Sequence, residues 1–272
     1  MALDIEEKIN LKEYELNTLM KIHIEPLLEI KEGLSRRILM SRGNISTSTG
    51  QAKARKTFAV TLFTSALLKE GITYDKFICR GNYSVIYVLT EESKAHSIMV
   101  GKRIQIIKQQ DTQPENFRFF NIRKCSPSMR VDIITKIAYD LKPDILIIDG
   151  IRDLVSDVNN TDQSSAIETL LLKITDELNN HIHCVIHQNP GTDKMRGHLG
   201  TSLMQKSETV VVISKDLDNK QYSIIKPSET RNEDFTEFAF IIENGIPVLS
   251  SYKPIEKKKR SVKNKQDDDT PF

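Results

Sequence analysis

The feature that most constrains the fold is an alternation of two kinds of segment, which begins at about Gly43. Short runs of β-branched and apolar residues alternate with longer stretches in which apolar residues recur at helical intervals. Such alternation is typical of crossover units, in which a helix connects two parallel strands. The pattern therefore predicts an α/β fold with a mainly parallel central sheet flanked by helices.

Six short runs are predicted as strands of this sheet, at residues 45–49, 85–89, 117–122, 145–149, 184–187 and 210–214. Helices are predicted at 57–69 and 162–179. Later runs at 222–225 and 237–242 predict antiparallel strands at one edge. The main domain is expected at residues 41–252, after a helical arm or linker at 1–40 and before a disordered tail at 253–272, which is basic and then acidic.

Composition excludes few functions. The formal net charge is +2 and 28% of the residues are charged, which argues neither for nor against binding to nucleic acid. Cys79, Cys125 and Cys184 lack the spacing of metal ligands and are interpreted as reduced thiols. No signal peptide is visible, and no apolar run approaches the ~20 residues that a membrane helix needs. We expect a cytoplasmic protein without membrane contact.

Residues 50–57 form the strongest candidate site. A phosphate-binding loop has the pattern Gly, four residues, Gly, Lys and Ser or Thr, and it lies between a strand and a helix whose N–H groups surround the phosphates. Lys56 is expected to contact the β- and γ-phosphates, and the Thr57 hydroxyl to ligate Mg²⁺. A basic loop that caps a helix without a nucleotide is the alternative. The predicted nucleotide-binding residues are Gly50, Gln51, Ala52, Lys53, Ala54, Arg55, Lys56 and Thr57.

Arg55 departs from this pattern, because it stands at the position of the second glycine. A residue with a side chain adopts a positive φ only with strain. The loop is therefore expected to use right-handed torsions at Arg55 or to be altered. A cationic side chain at this position is electrostatically compatible with phosphates.

Acidic residues follow two of the predicted strands. Asp149 ends the run 145–149 and is the candidate to hold Mg²⁺ through water, with Gly150 allowing close approach of the backbone. Glu91 follows the run 85–89 and is the candidate base for the attacking water, with Glu92 as the alternative. A turn aspartate and two solvated loop charges are the competing interpretations of these carboxylates.

Polar residues also follow the run 184–187. Gln188 is the candidate to bond the γ-phosphate and to report its loss to the next loop. His187, taken alone, is interpreted as a satisfied histidine at the edge of a strand.

Taken together, these residues resemble the RecA-like ATPase core of hexameric replicative helicases, particularly the plasmid RepA and DnaB type and the related KaiC-like proteins. The similarity covers about residues 41–247 and includes Thr90-Glu91 and the segment 148–155. The segments 195–201 and 206–209 also resemble proteins encoded on bacterial plasmids and mobile elements. In those proteins an Arg likewise tends to precede the Lys-Thr pair.

The resemblance implies a P-loop NTPase that hydrolyses ATP with Mg²⁺, assembles into a ring, with a hexamer expected, and acts as a DNA helicase or single-stranded-DNA translocase. It implies that the loop 190–201 contacts DNA, and that Arg231, or less favourably Lys226, reaches the γ-phosphate of a neighbouring subunit. The DNA-binding candidates are Lys194, Arg196 and His198. An ordinary mobile loop is the alternative for residues 190–201. For the function of the whole chain, the alternatives are a KaiC-like regulatory ATP-binding protein and a homologue that does not hydrolyse ATP.

Overall fold

The computed structural model describes residues 11–253 except residues 22, 74 and 193. The strands are β1 (Pro26–Glu32), β2 (Ser35–Ser41), β3 (Ile45–Gly50), β4 (Gly71–Thr73), β5 (Phe77–Cys79), β6 (Val85–Leu89), β7 (Phe117–Asn121), β8 (Ile145–Asp149), β9 (His181–His187), β10 (Thr209–Lys215), β11 (Ser223–Thr230), β12 (Phe238–Glu243) and β13 (Ile246–Ser250). The helices are α1 (Lys56–Leu67), α2 (Lys94–Ile107), α3 (Pro127–Leu141), α4 (Thr161–Leu178) and α5 (Gly197–Lys206), and short 3-10 helices lie at Leu11–Glu13 and Ile151–Leu154.

The main sheet has nine strands in the order β13-β12-β11-β10-β3-β9-β8-β6-β7. The strands from β10 to β7 in this order run parallel to one another. Strands β11, β12 and β13 extend the sheet in antiparallel pairs. The predicted α/β fold, with a mainly parallel sheet and late antiparallel edge strands, is confirmed. The two strands β6 and β8 have the predicted bounds.

Helices cover both faces of the main sheet. On one face α1 and α2 pack on the sheet, with Phe63 and Ile104 in the same apolar core as Tyr87 of β6. On the other face α3, α4 and α5 pack around the alternate side chains, such as Ile148 of β8. No helix in the described part of the chain has the length and hydropathy needed to cross a bilayer.

The prediction of a helical arm at residues 1–40 is wrong for residues 26–40. These residues form the hairpin of β1 and β2, which joins a second, four-stranded antiparallel sheet in the order β2-β1-β5-β4. Five apolar residues of the hairpin are fully buried in the core beside α1, and they include Leu28, Ile30 and Leu39. Short apolar runs do not distinguish a strand from a helix by periodicity alone. The domain therefore begins at about Pro26, and residues 1–10 and the predicted tail lie outside the described residues, except for residue 253.

The central strand β3 is polar and yet entirely buried. Its hydroxyls join two histidines of β9 in a directional chain of hydrogen bonds. Nδ1 of His181 lies 2.8 Å from the Ser41 carbonyl, so it carries the proton, and Nε2 accepts from Ser46 at 2.7 Å. Ser46 Oγ in turn accepts from Nδ1 of His183 at 2.7 Å, and Nε2 of His183 accepts from Ser48 at 2.8 Å. Burial lowers the pKa of His181 to about 4 and that of His183 to about 3, so both rings are neutral near pH 7.

The cysteines agree with the prediction of reduced thiols. Cys79 and Cys184 are buried, Cys125 is half-buried, and all three are free. Burial raises the pKa of Cys184, which keeps its thiol protonated.

Candidate functional site

Part of the predicted site comes together at the carboxyl ends of the parallel strands. A cavity of about 350 Å³ lies between the loop 50–57 and helix α2. Its lining includes Lys56, Thr57, Glu91, Asp149 and His187. Ligands of open α/β sheets bind outside this edge, so the cavity is the principal candidate site.

The backbone of the loop 50–57 is strained at two residues that are not glycine. Lys53 has a φ of 62° and Arg55 a φ of 71°, both in the left-handed region. Each such residue costs roughly 1–2 kcal/mol, and such strain clusters at ligand sites. At Gly50 a Cβ atom would lie 2.1 Å from the carbonyl oxygen of Ile213, so no side chain fits there. The positive φ of Arg55 shows that the expectation of right-handed torsions at this residue is wrong.

The side chain of Arg55 explains how the loop retains this conformation. Its guanidinium donates to the carbonyl oxygens of Gln221 at 2.6 Å and Lys220 at 3.3 Å, and to the Ser223 hydroxyl at 3.3 Å. These acceptors belong to the turn between β10 and β11 and to the start of β11. The arginine anchors the loop to this turn, and its hydrogen bonds offset the strain at φ.

The ammonium group of Lys56 is held at the base of the loop. It is 7% exposed and donates to the carbonyl oxygens of Gly50 at 3.0 Å and Gln51 at 3.1 Å, and to Nδ1 of His187 at 2.9 Å. Burial lowers its pKa to about 8, against the attraction of Asp149 and Glu91. No carboxylate among the described residues contacts this buried cation, and such a cation is favourable for capture of an anion.

His187 links this lysine to Glu91. An ammonium group can only donate, so Nδ1 of His187 accepts, and Nε2 carries the proton and lies 3.3 Å from Glu91 Oε2. This hydrogen bond lowers the pKa of Glu91, although burial opposes it. The Glu92 carboxylate lies 3.9 Å from His96 instead. Glu91 is therefore the carboxylate that is connected to Lys56.

Gln188 is not among the residues that line the cavity. Successive side chains of a strand point to opposite faces, and Val185 packs on the α1 face whereas Ile186 packs on the other. His187 therefore shares the α1 face with the loop, and the next residue does not. The backbone N–H of Gln188 donates to the Gly50 carbonyl at 3.1 Å. The alternation in the sequence places His187 and Gln188 on opposite faces of the sheet, but it does not say which face carries the loop.

The two predicted metal ligands are in direct contact. The Thr57 hydroxyl donates to Oδ2 of Asp149 at 3.0 Å. The same oxygen accepts a second hydrogen bond, from the Tyr87 hydroxyl at 2.8 Å. Burial raises the pKa of Asp149, and the two hydrogen bonds oppose that rise. Tyr87 was not predicted, since a strand tyrosine in an apolar run resembles any other core residue.

Gly150 provides the close approach that was expected of it. It has a φ of 104°, and a Cβ atom there would lie 2.1 Å from the Thr90 hydroxyl oxygen. That hydroxyl donates to the Gly150 carbonyl at 2.9 Å. This hydrogen bond joins the ends of β6 and β8 and holds Glu91 near Asp149.

Two of the candidate DNA-binding residues, Lys194 and Arg196, lie on a loop that is hydrogen-bonded to the loop 50–57, whereas His198 lies in the first turn of α5, where the predicted loop 190–201 is helical. Lys194, Arg196 and His198 are all exposed. The side-chain amide of Gln51 donates to the carbonyl oxygens of Asn189 at 2.9 Å and Thr192 at 2.8 Å. A displacement of Gln51 would therefore act directly on the loop 189–196.

Arg231 lies at the amino end of β10, on the opposite side of the main sheet from the carboxyl ends that line the cavity. Its N–H donates to the Glu208 carbonyl at 2.8 Å and its guanidinium to the Lys206 carbonyl at 2.9 Å. Because Glu208 directly precedes β10, Arg231 is remote from the cavity of its own subunit. Lys226 lies exposed within β11. A role for either residue toward a neighbouring subunit stays a prediction.

Comparisons with protein-family models and with curated proteins find no match for this chain. The geometry of the cavity is therefore the basis for assigning a function. It brings together the loop 50–57, Glu91 and Asp149, adds His187 and Tyr87, and leaves Gln188 and Arg231 outside.

Proposed function

We propose that the protein is a Mg²⁺-dependent ATPase with a RecA-like core, which works as a ring-forming DNA helicase or single-stranded-DNA translocase in plasmid or mobile-element replication. One observation carries the nucleotide site. The loop 50–57 holds two strained residues that are not glycine at the N-terminus of α1, directly beside the contact between Thr57 and Asp149. Backbone N–H groups at a helix N-terminus form an anion site. The Thr57 hydroxyl and the Asp149 carboxylate supply hard oxygen ligands for Mg²⁺.

The residues fit Mg²⁺ bound together with a nucleotide. Among residues 11–253, as far as they are described, no cluster of three or more acidic, His or Cys side chains could hold a metal ion alone. Mg²⁺ is usually held by one or two protein oxygens, with substrate phosphates and water completing its coordination. Thr57 would supply the direct protein ligand and Asp149 would hold the ion through water, and the bound ion would neutralise charge on the phosphates.

The residues around the cavity would have separate roles in hydrolysis. Glu91, kept ionised by the hydrogen bond from His187, would orient water and accept its proton. Lys56 would exchange its carbonyl and histidine acceptors for phosphate oxygens, since charged acceptors form stronger hydrogen bonds than these neutral ones. His187 would then lose the donor on Nδ1, which makes it the residue that responds first to the arrival of a phosphate.

The contact of Gln51 with the loop 189–196 supports the motor function. Nucleotide contacts at the phosphate loop would be transmitted to Lys194, Arg196 and His198 through two hydrogen bonds. The exposed cations Lys194 and Arg196 on this loop suit tracking of a phosphate backbone.

The test is the ATPase rate of the wild-type protein with and without single-stranded DNA, together with sizing in Mg-ATP. We expect hydrolysis that DNA stimulates in a salt-dependent way, and a ring-sized species. The variant Gln51→Ala should retain basal hydrolysis but lose most of the stimulation. Nucleotide binding without DNA affinity would contradict the helicase or translocase function and favour a KaiC-like regulatory protein.

A further inference from the structure

Tyr87 contacts the candidate metal ligand from inside the core. It lies in the middle of β6 and is 0% exposed. Its hydroxyl donates to Oδ2 of Asp149 at 2.8 Å. A buried tyrosine hydroxyl requires a partner, and a carboxylate oxygen is a strong acceptor for it.

The two donors to Asp149 converge on one oxygen. Thr57 approaches Oδ2 from α1, and Tyr87 approaches the same oxygen from β6. Within the described part of the chain, no donor bonds to Oδ1. Two hydrogen bonds from different elements fix the rotation of the carboxylate and leave Oδ1 available for a ligand.

The position of Tyr87 follows from the strand register. Strands β6 and β8 are parallel neighbours, and Leu89 pairs with Asp149. Tyr87 precedes Leu89 by two residues, so both side chains lie on the α1 face. The long tyrosine side chain reaches the end of β8 along this face, where a shorter residue would leave Oδ2 with one donor.

We infer that Tyr87 is a positioning residue, which holds the Asp149 carboxylate so that Oδ1 receives the water shell of a divalent cation bound with the nucleotide. This inference rests on the proposed function. Removal of such a partner of a metal ligand lowers metal affinity about 10- to 100-fold. A tyrosine that only fills the core would not affect metal affinity.

The test is Mn²⁺ binding in the presence of ADP, measured by electron paramagnetic resonance on the full chain, with Mn²⁺ as a stand-in for Mg²⁺. Tyr87→Phe keeps the ring and removes the hydroxyl. We expect Mn²⁺ affinity to fall at least about 10-fold, while ADP binding in EDTA is unchanged. Tyr139→Phe is the matched control, because it removes a tyrosine–carboxylate hydrogen bond to Glu177 on the surface.

A double-mutant cycle with Asp149→Asn gives a second readout. Once the carboxylate is an amide, Tyr87→Phe should cause little further loss of Mn²⁺ affinity. Wild-type affinity in Tyr87→Phe, or additive losses in the cycle, would overturn the positioning role. Loss of folding in Tyr87→Phe would assign the hydroxyl to stability and overturn it too. Failure of the wild-type chain to bind ADP in EDTA would instead refute the proposed function itself.

Discussion

The two ends of strand β3 are both polar, but they differ in how their polar groups are satisfied. At the carboxyl end, the loop 50–57 is strained, and its Lys56 donates only to neutral acceptors beside an open cavity. At the amino end, Ser41, His181 and Glu208 are buried and bonded to one another. A strained loop that holds a buried cation among neutral acceptors indicates a site for an anionic ligand, whereas a carboxylate and its donors bonded to one another indicate a structural role.

The amino end contains an unusual carboxylate. Glu208 is 3% exposed and accepts from the backbone N–H and the hydroxyl of Ser41, at 2.6 Å each. Burial raises its pKa to about 7. Its Oε1 lies 3.6 Å from Nδ1 of His181, but that ring is neutral above a pH of about 4, so the two do not form an ion pair near pH 7.

The largest effect is expected at the carboxyl end, from Glu91→Gln. Loss of the proton acceptor should lower ATP turnover about 100- to 10 000-fold, with nucleotide binding and thermal stability nearly unchanged. Steady-state kinetics and a thermal melt measure both. Glu92→Gln is the matched control, because its side chain does not contact His187, and it should keep most of the activity. Equal losses in the two variants would contradict the assignment of Glu91.

The next effect is a loss of nucleotide affinity in Lys56→Met. Removal of the cation should weaken ATP binding about 100-fold, since charge-assisted bonds to phosphate are lost. Stability should not fall, because the variant no longer buries a charge. Fluorescent-nucleotide titration and denaturant unfolding test both parts. Lys69→Met, in the exposed segment that follows α1, should leave binding unchanged. A large loss of stability in Lys56→Met would make this lysine a structural residue.

At the amino end, Glu208→Gln should change stability and its pH dependence but not nucleotide binding. The folded-state pKa is raised, from 4.5 to about 7. The stabilisation by the protonated carboxyl is therefore complete below pH 4.5 and is lost as pH rises through 7. The wild-type chain should lose up to about 3 kcal/mol over this window relative to the glutamine variant. Parallel pH profiles of unfolding for the two proteins would contradict this account.

The smallest effect is the difference between Arg55→Gly and Arg55→Ala. Both variants lose the bonds to the turn at 220–223, but only glycine adopts the left-handed torsion freely. The alanine variant should be less stable by about 1 kcal/mol in denaturant unfolding. Equal stabilities would show that the torsion at residue 55 relaxes once the guanidinium is gone.

The sequence predicted the parts of the fold that depend on local pattern. The alternation after Gly43 located the parallel sheet, and the strand ends located Glu91 and Asp149 at one edge. The hairpin at 26–41 was missed because its burial comes from α1, which local periodicity does not report.

The errors within the site have the same origin in tertiary contacts. The torsion of Arg55 depends on carbonyl groups more than 160 positions away in the chain. The roles of Tyr87 and His187 depend on the register between β6 and β8 and on the pleat of β9. A single sequence does not contain that register.

The most direct test of the central claim is equilibrium binding of ATP to the wild-type chain and to Thr57→Val, each with and without Mg²⁺. Valine keeps the shape of threonine and removes the hydroxyl that contacts Asp149. The nucleotide site described above predicts that Mg²⁺ strengthens ATP binding to the wild-type chain and has little effect on the variant, while both bind ATP alike without the metal. Absence of ATP binding by the wild-type chain, or an equal response of the two proteins to Mg²⁺, would contradict it.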